Sequence, residues 1–121
     1  MEKKKIYFER GEIVLNDTSR KKLYDIVIDL ERMMAVSKRL KNNMRILLMG
    51  YTDATGVTSG INKKISKGRA EAVKELMVKQ GLPGGLIRTE GKGVFPGGEK
   101  DLESQKQRIV KIRIITESKD D

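Results

Sequence analysis

The chain of 121 residues contains no cysteine, no histidine and no tryptophan. Without cysteine there is no disulfide framework and no thiolate metal site. Without histidine the commonest general base, a common metal ligand and the near-neutral pH switch are missing as well. A Ser-His or Cys-His nucleophilic site is excluded, and zinc catalysis with the usual ligand set is not expected. No pair of acids stands at a defined spacing either, so we expect no catalytic residues, no metal and no cofactor. Aromatic residues make up only 4% of the chain, which leaves few stacking platforms for single-stranded nucleic acid. No run of about 18 apolar residues occurs, so nothing here is expected to span a membrane. The charged start is followed by no apolar signal region. If the natural protein is exported, these residues are expected to be one domain of something larger.

Charge is abundant. Lysine and arginine number 26 against 17 aspartates and glutamates, a net +9. Such a balance favours anionic partners and says nothing about fold. It is spread evenly, +5 over residues 1–50 and +4 over 51–121. No basic arm is set aside, and solubility alone accounts for much of it.

The length suits one domain, 1–121, with a core over about 6–116 and frayed ends at 1–5 and 117–121. "IYFER" at 6–10 is β-branched and aromatic and predicts a first strand. "NDT" at 16–18 offers helix N-caps. Beyond it Leu23, Ile26, Val27, Leu30, Met33 and Met34 form one apolar stripe at helical spacing. "RILLMGYT" at 45–52 reads as a covered strand, and "ATGVTSG" at 54–60 as a loop. A second helix is predicted from about Asn62 to Gln80. Ile65, Ala72 or Val73, Leu76 and Met77 give its buried face, and Gly81 and Pro83 its stop. "LIRTEGKG" at 86–93 reads as a third strand, and 94–105 as a long polar loop. In "RIVKIRII" at 108–115, Val110, Ile112 and Ile114 alternate with Lys111 and Arg113, as in a half-buried strand. The order points to an α/β (α+β) two-layer sandwich, β-α-β-α-β-β, with two helices on one face of a four-stranded mixed sheet. The fourth strand is expected to pair with the third through the long loop.

Asp53 falls at the carboxyl end of the central strand, where crevices of such sheets open. Gly56 and Gly60 follow it. Asn62 and Ser66 can cap the second helix, and Arg69 lies two turns into that helix. If the loop folds back, Asp53 and Arg69 flank one pocket with opposite charges. A carboxylate and a guanidinium held apart suit a zwitterion. From spacing alone a second arrangement stays open: Asp53 caps the helix and Arg69 pairs with it, or Thr52 and Asp53 simply form a turn.

The run "GYTDATG…N…ISKGRAEAV" strongly resembles the OmpA C-terminal-like family, shared by outer-membrane porin A, peptidoglycan-associated lipoprotein and the flagellar motor protein MotB. Gly50, Thr52, Asp53, Gly56, Asn62, Ile65-Ser66 and Arg69-Ala70 match its pattern. "YFERGEIVL" at 7–15, "GLPGGLIRTEGKG" at 81–93 and "QRIVKI" at 107–112 extend the resemblance over about 6–116. Gln107 and Ile109 stand where the closing motif has an asparagine and a second arginine. The resemblance implies a non-catalytic module that binds the stem peptide of peptidoglycan and anchors a larger protein to the cell wall. It implies that Asp53 and Arg69 hold diaminopimelate, that Asn62 and Thr52 support the loop or touch the ligand, and that Arg108 and Phe8 stand at the pocket. It also implies a periplasmic place, at the cell wall or outer membrane, and leaves a homodimer open. Two rivals remain: a degenerate OmpA-like protein-interaction domain, suggested by Gln107 and Ile109, and a basic polyanion or nucleic-acid binder, suggested by the charge.

Overall fold

The computed structural model describes residues 4–53, 59–95 and 108–118. Strand β1 (Lys5–Tyr7) leads to helix α1 (Asp17–Arg39), strand β2 (Asn42–Thr52), helix α2 (Ser59–Lys79), strand β3 (Ile87–Val94) and strand β4 (Ile109–Ser118). The strands form one sheet in the order β1-β4-β2-β3. β2 and β3 run parallel through the α2 crossover, while β4 is antiparallel to both β1 and β2. This is the expected two-layer sandwich with one difference in pairing. β4 enters between β1 and β2 and leaves β3 at the edge. A hairpin needs only a turn, but β2 has the longer apolar face, and β4 matches it in unbroken register from Asn42↔Ser118 to Gly50↔Val110. The strands reach Lys5 and Ser118, past the expected core of 6–116 on both sides.

The periodicities hold at most positions. Asn16 caps α1, its side chain accepting from the Ser19 amide at 2.8 Å. Leu23, Ile26, Val27 and Leu30 are buried, but Met33 is exposed; the row continues four residues after Leu30 at Met34, which packs against the core instead. α2 begins at Ser59, three residues earlier than expected. Asn62 and Ser66 are therefore inside the helix rather than caps. Ser66 Oγ donates to the Lys63 carbonyl and accepts from the Gly93 amide, both at 2.9 Å, which stitches α2 to β3. α2 ends as its glycine foretold: Gly81 has φ +107°, and the Leu82 amide reaches back to the Met77 carbonyl at 3.1 Å.

α2 lies unusually close to the sheet. A Cβ at Gly50 would stand 1.9 Å from the Ser66 carbonyl oxygen, and one at Gly91 would stand 2.7 Å from the Lys67 nitrogen. These two glycines let the helix backbone rest on β2 and β3. Polar residues on its buried face, Asn62, Ser66 and Arg69, are thereby pressed against the carboxyl end of β2.

Candidate ligand-binding site

β2 ends at Thr52, and Asp53 follows it, buried. Its Oδ2 is 3.0 Å from Nη1 of Arg108, the residue just before β4. Their side chains are 6% and 11% exposed, so the pair is largely out of water. Arg108 is also fastened to the end of β1. Its Nε donates to the Phe8 carbonyl at 3.1 Å, and its own carbonyl accepts from the Phe8 amide at 2.8 Å. Three elements thus meet at one ion pair. Breaking such a pair from one side leaves a buried charge uncompensated, which is costly.

Arg69 does something different from what its charge suggested. Its residue is 1% exposed. Nε donates to the Glu12 carbonyl at 2.8 Å, Nη1 to the Tyr51 carbonyl at 3.0 Å and Nη2 to the Glu9 carbonyl at 3.2 Å. The guanidinium carbon lies 5.4 Å from the centroid of the Phe8 ring, within cation–π range. The planar fork meets three backbone acceptors from three separate nitrogens, a spread that the single nitrogen of an ammonium does not reproduce. Arg69 therefore buckles the β1–α1 connection onto α2 and the end of β2. Burial lowers its pKa to about 10, against the pull of Asp53, which raises it; Arg108 lowers it further and Glu12 raises it. It remains a cation at neutral pH.

The expected clasp of Asp53 and Arg69 across a gap is thus redrawn. Asp53 is hydrogen-bonded to Arg108, while Nε, Nη1 and Nη2 of Arg69 donate to main-chain carbonyls. The fold brings Phe8, Asp53 and Arg108 together and sets Arg69 under Phe8. Phe8 is 1% exposed and belongs to the core cluster. Asn62 is buried in the first turn of α2, two turns before Arg69 on the same face. Thr52 is 4% exposed, and among the described residues its Oγ1 is buried without a hydrogen-bond partner. Such an atom is uncommon in folded proteins and calls for an explanation. Gly56 and Gln107 lie outside the described residues.

Two features had no sequence signal. The acceptors for Arg69 are carbonyls, which every residue has. Ser19, whose Oγ donates to the Tyr7 carbonyl at 2.6 Å, ties α1 to β1; its place beside the cap could have suggested a polar role, but not its partner. Ile109, where a second arginine was expected by resemblance, is fully buried and pairs with Tyr7.

A sequence model described as "OmpA family" matches residues 7–115. The outer membrane protein A of Shimwellia blattae is 35% identical over 68 residues, 55% of this chain but 28% of that protein's length. Among solved structures, the peptidoglycan-associated lipoprotein from Burkholderia pseudomallei aligns over 93% of this chain and 90% of its own, with a TM-score of 0.72 and 20% identity. The C-terminal domain of Helicobacter pylori MotB aligns over 93% and 84%, with a TM-score of 0.72 and 16% identity. At such identities the two structures speak for the fold. The family match takes in both helices and nearly all of the sheet, and the chain belongs to the OmpA family.

Proposed function

We propose that this domain is a non-catalytic module that binds peptidoglycan and anchors a larger protein to the cell wall, by holding the diaminopimelate of the stem peptide at Asp53 and Arg108. It works in the periplasm, at the wall or the outer membrane. The observation that carries the reading is the buried Asp53–Arg108 pair at the end of β2. Diaminopimelate brings an ammonium and a carboxylate on one carbon. The ammonium takes the place of the guanidinium on Asp53, and the carboxylate takes the Arg108 fork. Charge is conserved in the exchange, so neither protein group is left buried and bare. The orphaned Thr52 hydroxyl supplies a further hydrogen bond at the floor. Asn62 and Phe8 shape the walls. Arg69 positions the site by fixing the carbonyl of Tyr51, two residues before Asp53. Membership of a family that includes a peptidoglycan-associated lipoprotein among its structural neighbours supports the wall as the target.

The test is co-sedimentation with insoluble peptidoglycan. Asp53→Asn keeps the shape and removes the charge. A charge-assisted hydrogen bond contributes about 1.5–3 kcal/mol, so binding should weaken about tenfold or more while the circular dichroism spectrum stays unchanged. The Asp53–Arg108 bond also favours a second reading, a pocket closed on itself in a protein-interaction domain. Under that reading the parent domain fails to sediment, or the variant binds as well as the parent.

A further inference from the structure

The helices cover one face of the sheet. Alternation and register place Arg45, Leu47, Met49 and Tyr51 of β2 on the other face. There Leu47 lies between Arg88 of β3 and Arg113 of β4. Met49 lies between Glu90 and Lys111, and Arg45 is opposite Ile115. Lys5 of β1 continues the row beside Lys111. Only two acids share this strand surface, Glu90 and Glu117, among the described residues. Both are already engaged with cations of the same face: Glu117 with Arg45 at 2.8 Å and Glu90 with Lys92 at 3.0 Å. Glu90 also feels Arg88, and among the described residues of this face no further acid balances Lys111 and Arg113.

We propose that this sheet face, which no helix covers among the described residues, docks on an anionic bilayer surface. Charge complementarity is the first ground. The second is the layout. Arg88 and Arg113 flank β2 about 10 Å apart, two strand spacings, and Lys111 lies one pleat further along β4. The cations form a two-dimensional array, which matches a plane of headgroups. The third ground is what lies between them. Ile115 is 37% exposed, and Leu47 and Met49 are partly buried with some surface in reach of solvent. Apolar side chains among cations enter the headgroup boundary while the charged ends stay with phosphate. At one end Tyr51 and Phe95 pack edge to face with centroids 5.1 Å apart. Lys111 Nζ stands 5.6 Å and 5.1 Å from their centroids. Aromatic rings beside an ammonium suit the interfacial layer. Nucleic acid fits less well, because stacking needs an open ring face, and these rings are engaged with each other and with Lys111. The peptidoglycan reading rests on Asp53 and Arg108 at the end of β2, and the variants below leave both in place, so the two readings are tested separately.

Vesicle flotation tests it, with phosphatidylcholine alone and with about one third phosphatidylglycerol. The protein should float only with the anionic vesicles, and raising salt to about 1 M, where screening acts within about 3 Å, should release it. Each cation near such a surface contributes about a fivefold gain in affinity. Arg88→Gln with Arg113→Gln should therefore weaken binding about 25-fold. Lys21→Gln with Lys38→Gln removes the same charge from the exposed side of α1 and should change it much less. Equal loss from both double variants, or no flotation by the parent, overturns the proposal. So does a mixed-sequence oligonucleotide that binds more tightly at equal salt and with the same dependence on Arg88 and Arg113. Circular dichroism confirms that all variants are folded.

Discussion

Gly50→Ala should be the most damaging single-atom change in this protein. The new Cβ would sit 1.9 Å from the Ser66 carbonyl oxygen and 2.9 Å from its carbon. Both obstacles are main chain, so no rotamer change relieves them. Either α2 lifts off β2 or the strand bends. Lifting the helix would uncover Ala70, Val73 and Met77, which are fully buried, and would stretch the Ser66–Gly93 link. Overpacking alone costs about 1–3 kcal/mol. With the lost helix packing added, we expect a loss above about 4 kcal/mol, a large part of the stability of an ordinary domain. A urea titration checks it: the midpoint should collapse, or the variant should fail to fold. A midpoint within about 0.3 M of the parent would mean that the helix does not rest on the strand as described, since a shift of that size is well under 1 kcal/mol.

Arg69→Met comes next. Methionine nearly fills the volume, but the carbonyls of Glu9, Glu12 and Tyr51 lose their shared donor. A buried acceptor left unmatched costs about 1–3 kcal/mol. The Glu9 carbonyl keeps the Glu12 amide as a donor, so two such losses, offset in part by removal of a buried charge, should total about 3 kcal/mol. The damage should be local first. Exchange of the Glu12 amide, which donates to the Glu9 carbonyl at 3.0 Å, should accelerate because the loop is no longer held at either acceptor. Arg69→Lys should recover less than half of the loss, since an ammonium lacks the fork. A residue that served only the ligand would behave differently: Arg69→Met would then abolish binding and leave both the urea midpoint and the Glu12 exchange rate unchanged.

The elements were legible in the sequence because their signals are local. The stripe from Leu23 to Leu30, the Asn16 cap and the Gly81 stop each fix a helix without reference to anything distant. The alternation of Val110, Ile112 and Ile114 fixes β4 as half-buried in the same way. Where β4 pairs was not legible, because an alternating strand fits beside any apolar neighbour. The start of α2 was missed for a related reason. Asn62 and Ser66 look like caps when read alone, yet both lie on a buried face, and Ser66 bonds to the Gly93 amide of β3.

The candidate site was legible as a set and not as a wiring diagram. Phe8, Asp53 and Arg108 converge although 100 residues separate the first from the last. The sign pattern suggested that Asp53 would face Arg69. It could not say which of two arginines would do so, because the competing acceptors for Arg69 are carbonyls with no residue signature. Geometry divides the two cations: the sealed one holds the frame, and the one at the rim of β4 meets the acid. The same blindness applies to the sheet face opposite the helices. Its cations are scattered along four strands, and only the register assembles Arg88, Leu47 and Arg113 into one row.

The most direct measurement is a calorimetric titration with two muropeptides that differ at a single stem residue, diaminopimelate in one and lysine in the other. Lysine keeps the side-chain ammonium and lacks the carboxylate. If Asp53 and Arg108 read both charges of the ligand, the lysine form should bind about tenfold or more weakly, the worth of one charge-assisted bond. Equal affinities for the two forms, or no heat with either, would contradict it.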